Sequence, residues 1–251
     1  MIGLVTVLPA KVMECRRRHL EERSIKMLLR LLRIGVTLGV LMLGAVFPAM
    51  ASDLPPPIGA DEPAAEPIKG EDGIYHQPWF SNASFLDLRE DFEEARKAGK
   101  RFAVIFEQRG CIYCVKMHTE VLSKRYINDY VRENFTILQF DMWGAREVTD
   151  FDGTAMPEKK LAERWGVMFT PTIVFFKDDL SGLDGQWGQP LEVTRMNLGI
   201  GAGTFYDMFV WIDHKIYEQD RNFQRFHLAR YNEREALAEA KKKDAAGKPS
   251  N

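Results

Sequence analysis

Three runs of the sequence, FAVIF (102–106), FTILQF (135–140) and TIVFF (172–176), consist almost wholly of β-branched and aromatic residues. Each is short and none alternates with polar residues, so each reads as a strand buried on both faces of a sheet. Strands of that kind need helices above and below them, and the intervening segments have the right pattern. Phe85, Leu88, Phe92 and Ala95 recur at helical spacing behind a capping-box pattern at Ser84 and Asp87, and Gly99 ends that helix. Further helices are expected over about 112–134, interrupted near Ser123, over 157–165, and over 204–219, where Phe205, Met208, Phe209, Ile212 and Ile216 make an apolar stripe. LEVTRM (191–196) alternates instead and follows the turn-rich KDDLSGLDGQWGQP, as an antiparallel strand nearer an edge would. The chain therefore reads as an α/β fold with a central mixed sheet flanked by helices on both faces.

The compact region spans about 79–220, and what precedes it decides which compartment its side chains meet. From Met27 the chain reads MLLRLLRIGVTLGVLMLGAVFPAMASDLP, with two arginines, an apolar run from Ile34 to Phe47 and the small residues Ala49 and Ala51. That is the pattern of a secretory signal peptide with cleavage after Ala51, and it places the mature protein in the periplasm. The apolar run is shorter than the roughly 20 residues of a spanning helix, so no stable membrane anchor is expected. Residues 1–26, with CRRRHLEERS, do not look like the start of a signal peptide, which makes Met27 a candidate start. Residues 1–51 hold eight basic and three acidic side chains; without them the net charge is −7, which argues against nucleic-acid binding. Residues 52–78 are rich in Pro, Gly and acids and read as a flexible linker. Residues 221–251 read as a charged helical or disordered tail.

Cys15 leaves with the leader, so Cys111 and Cys114 remain, in EQRGCIYCVKMH (107–118). Exported proteins that use cysteine for stability usually scatter pairs across long loops, and this one does not. Cys111 falls directly after the first buried strand and at the start of a helix, where unpaired backbone N–H groups and the helix dipole favour thiolate over thiol. The thiolate is the nucleophile. Cys114, one turn further in, is placed to attack a mixed disulfide on Cys111 and release the reduced substrate. A zinc site would need four ligands, and the histidines at 76, 118, 214 and 227 stand at no finger spacing. A c-type haem site would need His after the second cysteine, where Val115 stands. A static bridge across so short a loop constrains the unfolded chain little. A metal-binding module of Cys111, Cys114 and His118, with Met117 beside them, stays open as an alternative, but no metal is expected. DFDGT (150–154) begins like a calcium loop but lacks the later ligands and reads as a surface turn. GIGAG (199–203) reads as a turn joining the last strand to the last helix.

The frame of strand, GCIYC, long helix, strand and GVMFTPTIVFF resembles the thioredoxin superfamily over about 79–220. More narrowly, FEQRGCIYCVKMH, WGAREVTDFDG and LAERWGVMFTPTIVFF resemble the SoxW-like exported thioredoxins associated with bacterial sulfur oxidation. The resemblance implies a thioredoxin-like fold, Cys111 and Cys114 as the catalytic pair, and no cofactor beyond their redox-active disulfide. It also implies a cis Thr170–Pro171 bond beside the pair, with Thr170, Pro171, Gly110 and Tyr113 meeting the substrate strand. The chain departs from the family in three places. The buried acid expected six residues before the first cysteine is Ile105, which leaves proton transfer to Glu107 or a water. Ile112 and Tyr113 stand between the cysteines in place of Gly-Pro. Gly110 replaces the usual tryptophan and opens the approach to Cys111. The expected activity is that of a periplasmic thiol-disulfide oxidoreductase, a reductase of protein disulfides or oxidised cysteine adducts that serves sulfur oxidation. An exported reductant cannot draw on cytoplasmic NADPH directly, so a transmembrane electron-donating thiol-disulfide carrier is the expected partner. A disulfide isomerase or oxidase of the same fold is the alternative.

Overall fold

A computed structural model describes residues 54–60, 62–64, 66–80, 85–182, 184–197 and 201–246. The leader read at 1–51, Ser84 of the capping-box pattern and the first two residues of GIGAG lie outside them. Strands β1 (Ile68–Lys69) and β2 (Tyr75–His76) pair ahead of helix α1 (Leu88–Lys97) and strand β3 (Arg101–Glu107). Helix α2 (Ile112–Lys116) runs into a π-helical turn (Met117–Val121), and α3 (Arg125–Asn134) leads to β4 (Phe135–Asp141). The hairpin β5 (Glu147–Thr149) and β6 (Ala155–Pro157) precedes α4 (Glu158–Arg164) and β7 (Thr172–Phe176). Then come α5 (Gly188–Leu191), β8 (Glu192–Asn197), α6 (Ala202–Asp213), α7 (Ile216–Gln219) and α8 (Phe223–Ala246).

The central sheet has the order β4-β3-β7-β8, with β3 parallel to β4 and antiparallel to β7, and β7 antiparallel to β8. Every residue of β3 and β7 is buried, as runs without polar alternation require, and the half-buried β8 is the edge. Alternation then sorts side chains by face. Phe102, Val104 and Phe106 join Leu88, Phe92, Leu138, Phe140, Trp165 and Phe176 in one apolar cluster. Ala103, Ile105 and Glu107 point to the other face, where Phe135, Phe175, Phe205 and Phe209 stack edge to face and in parallel. Both faces are therefore covered, and the fold is a thioredoxin-like α/β fold with a mixed central sheet flanked by helices.

Several local expectations are corrected. Helix α1 starts at Leu88 and is capped by Asp87, whose carboxylate accepts from the Arg89 and Glu90 amides at 3.0 and 3.2 Å. Phe85 precedes the helix and is 96% exposed, so the apolar stripe begins at Leu88. The long helix over 112–134 does break near Ser123, and the π turn before the break carries two successive residues, Met117 and His118, into the interior. DFDGT is a turn whose Gly153 and Thr154 reach the surface, but its first two residues do not. Asp150 and Phe151 are buried, and the Asp150 carboxylate accepts from the Trp165 indole, the Gly188 amide and the Phe151 amide. Those donors occupy the oxygens a calcium ion would need.

The segments read as a flexible linker and a tail are also held. Arg230 and Arg234 of α8 donate to the Pro55, Pro56 and Pro57 carbonyls, and both ion-pair with the fully buried Asp207 of α6. Nearer the domain, Ile74 and Gln77 are buried. Polar contacts with distant residues order a segment whose composition has nothing to bury.

Candidate redox site

Cys111 is the N-cap of α2, in extended conformation, and its Sγ accepts the Cys114 amide at 3.0 Å. The two sulfurs form a disulfide with Cα atoms 5.2 Å apart. Gly110, just before, has φ +77°, a left-handed conformation that favours glycine. A Cβ there would meet nothing within 4 Å, so the space beside Cys111 is open as the missing tryptophan suggested. Cys111 itself is 8% exposed and Cys114 4%. The first sulfur is the more open of the two, but by less than its place at a helix start suggests.

The cover comes from the loop before β7. The Thr170–Pro171 bond is cis, Thr170 is buried, and its carbonyl oxygen lies 3.4 Å from Cys111 Sγ. In the reduced state this contact lets the thiol donate to the carbonyl. Pro171 and Tyr113 line one side of a cavity of about 270 Å³ that continues over Met117, Val121, Ile173 and Met196. Around the bridge stand Ile112 and Tyr113 on the first turn of α2 and Trp143, Met168 and Phe169 on loops, each between 46 and 75% exposed. The Trp143 indole donates to Gln108 Oε1 at 2.6 Å, which holds that ring beside the turn into Cys111. The structure thus gathers Cys111, Cys114, Thr170, Pro171 and Tyr113 at one place, with Gly110 at its open edge.

Glu107 stands at the end of β3, fully buried, where no substrate reaches it. It shares a face with Ile105, one pleat further toward the cysteines. His118 Nε2 and Gln139 Nε2 both lie within hydrogen-bonding reach of Glu107 Oε1, at 2.9 and 2.8 Å. Oε2 is buried with no hydrogen-bond partner among the described residues, and so is the Thr170 hydroxyl. Both nitrogens of the His118 ring are engaged, Nδ1 with the Gln77 amide at 3.1 Å, so this ring does not offer the cysteines a third metal ligand. Gln77, Asn128 and Gln139 were not legible as site residues. The one signal among them is a glutamine inside the otherwise apolar β4, since a buried amide needs partners.

Comparison with known proteins places this geometry. Residues 88–185 match the family described as a thioredoxin-like domain. No curated protein matches the chain. Solved structures that it resembles include a thioredoxin-fold protein from Helicobacter pylori, at 18% identity and TM-score 0.44, over 53% of this chain and 86% of that one. A thioredoxin from Thermus thermophilus aligns at 25% identity and TM-score 0.37, over 49% and 81%. A DsbH oxidoreductase aligns at 18% identity and TM-score 0.35, over 59% and 95%. Residues 88–185 thus match a thioredoxin-like domain, and the described residues have a thioredoxin-like fold.

Proposed function

We propose that the protein is a thiol-disulfide oxidoreductase of the periplasm that reduces protein disulfides or oxidised cysteine adducts through Cys111 and Cys114. One observation carries this reading: the two cysteines are bridged at a helix start, with the Cys114 amide directed at Cys111 Sγ. An amide aimed at the sulfur, together with the helix dipole, stabilises the Cys111 thiolate over the thiol. That thiolate attacks a substrate disulfide and forms a mixed disulfide. Cys114 then attacks Cys111 Sγ, the bridge forms, and the substrate leaves reduced.

The rim of exposed apolar side chains, Ile112, Tyr113, Trp143, Met168 and Phe169, supports a protein partner, because such a patch marks a binding surface more often than a bare one. Thr170 and Pro171 are the positions at which the substrate backbone would lie, with Gly110 and Tyr113 on either side. The leader read at 1–51 supports export, and with it a transmembrane thiol-disulfide carrier as electron source. The motifs shared with SoxW-like proteins support service in sulfur oxidation.

A redox titration of the pair, read by mass after alkylation, tests the direction. A reductase should titrate as one two-electron couple well below about −180 mV, the value typical of protein disulfide isomerase. A couple near about −120 mV would assign oxidation instead.

A further inference from the structure

Gln77 precedes the matched domain in sequence, yet its side chain is fully buried beside His118. The hydrogen bonds around it can be assigned from a group that has no choice. The Trp79 indole only donates, and it reaches Asn128 Oδ1 at 3.0 Å. The Asn128 amide nitrogen therefore donates, to the Leu122 carbonyl at 2.8 Å and to Gln77 Oε1 at 3.0 Å. Gln77 Oε1 is then the acceptor, so Gln77 Nε2 donates to His118 Nδ1. With Nδ1 accepting, the ring proton of neutral His118 sits on Nε2 and points at Glu107 Oε1. Gln139 adds a second donor to that same oxygen, its own carbonyl being taken by His76 Nδ1 at 2.5 Å. One oxygen of Glu107 is held twice and the other not at all.

We infer that Gln77 is a positioning residue of the redox site: it holds His118 as the Nε2–H tautomer, which pins Glu107 by one oxygen and leaves Oε2 to take the proton of Cys114. The inference rests on the thiol-disulfide reading above. Two placements bring the pair toward the cysteines. His118 is four residues beyond Cys114, one helical turn. The register of β3 with β7 ends at Phe106 opposite Thr172, so Glu107 follows one strand just as Pro171 precedes the other, one residue from the Thr170 carbonyl that touches Cys111. Cys114 is buried, so its proton needs an internal acceptor.

In the step, the Cys114 proton moves to Glu107 Oε2 and the sulfur electron pair forms the bond to Cys111 Sγ. The bond from Cys111 to the substrate sulfur breaks, and the substrate leaves with that electron pair and takes up a proton. The dithiol is oxidised by two electrons and the substrate reduced by two. Other titratable groups around the pair are His76 and Asp72, which reach it through Gln139, Tyr75 stacked on His118, Asp141 beside Glu107 in β4, and Glu158, which accepts the Asp141 amide.

The full reduced chain is mixed with dithiobis-nitrobenzoate, which reads the two sulfurs in order. The first release of thionitrobenzoate reports attack by Cys111, and the second reports attack by Cys114 on the mixed disulfide. Relative to the first phase, the second should slow by about a hundredfold or more at neutral pH in Glu107→Gln, the range of a lost general base. In Gln77→Met it should slow by roughly threefold to tenfold, well short of the loss of the base itself. Both deficits should close as pH rises past about 8.5, where solvent deprotonates the thiol unaided. Nitrogen-15 shifts of the wild-type His118 ring should report a proton on Nε2 and a bare Nδ1. A proton on Nδ1, or a phase ratio unmoved in both variants, overturns the inference, and the tautomer decides it even if Gln77→Met does not fold. Loss of the first phase in the wild type would overturn the redox reading itself.

Discussion

Two fully buried carboxylates, Asp207 and Glu107, sit in opposite electrostatic situations. Both oxygens of Asp207 are occupied: Arg230 Nε at 2.7 Å, two Arg234 nitrogens at 2.9 and 2.8 Å, and His227 Nδ1 at 2.7 Å. The same two arginines bind the carbonyls of Pro55 to Pro57, so one carboxylate joins α6, α8 and the segment ahead of the domain. Glu107 has an imidazole and an amide on one oxygen and nothing on the other. A carboxylate whose lone pairs are filled by guanidinium groups holds structure. One that keeps a free buried oxygen is costly to the fold and chemically open. The difference separates what holds this molecule together from what lets it react.

The largest effect on stability should come from the filled site. Asp207→Asn leaves Arg230 and Arg234 facing each other without their anion, and urea unfolding should register a loss of about 3–5 kcal/mol, as for other broken buried pairs. A loss under about 1 kcal/mol would reduce the cluster to an exposed ion pair. Glu107→Gln should do the reverse. Its carbonyl still accepts the His118 proton, so stability should change by no more than about 1 kcal/mol while resolution by Cys114 slows. If this variant unfolds instead, Glu107 belongs with Asp207.

A second contrast lies within two residues of one turn. The Arg164 guanidinium bonded to Asp152 holds that carboxyl at about 2, whereas burial pushes the Asp150 carboxyl up. The unfolded value is about 3.9, so the Asp152 pair stabilises the fold above about pH 4 and loses that contribution as pH falls toward about 2. Asp150 has the opposite sign, since its folded form keeps a proton to higher pH. Asp152 is near the surface, so its pair is worth at most about 1 kcal/mol. The deficit of Asp152→Asn in urea unfolding should therefore be visible near about pH 6 and vanish near about pH 2. A deficit that persists in acid would mean that shape, not charge, matters there.

The smallest effect is expected at the other unpaired atom of the redox site. Thr170→Val keeps the shape of the side chain and removes a buried hydroxyl that has no partner, so stability should stay within about 1 kcal/mol or rise. A larger loss, measured by the same unfolding, would show that Oγ1 is bonded in solution.

How much of this was readable beforehand depends on where each residue gets its partners. Three strands of the central sheet were legible, because burial on both faces leaves an apolar run in the sequence itself, and β8 by its alternation; the two-residue and three-residue strands β1, β2, β5 and β6 are too short to leave a pattern. The cysteine pair was legible by its spacing, and the loop before β7 by the resemblance. The start of α1 was not, since Ser84 and Asp87 compete as caps and only packing leaves Phe85 outside. Nor were Gln77, Asn128 and the docking of α8, whose bonds join residues between 23 and 175 positions apart. No local pattern encodes a hydrogen bond of that range. The π turn that brings His118 inward likewise has no signature in composition or period.

The central claim is that Cys111 and Cys114 divide one reaction between them, and trapping tests it most directly. Cys114→Ser, expressed with its natural partners, should accumulate a mixed disulfide on Cys111, because the attack that resolves it is gone. Cys111→Ser should trap little or nothing. An alkylating probe on the reduced wild type should modify Cys111 first, since its sulfur caps the helix and is the less covered of the two. Cys114 as the faster thiol, or full disulfide-reductase activity in both single variants, would contradict the account.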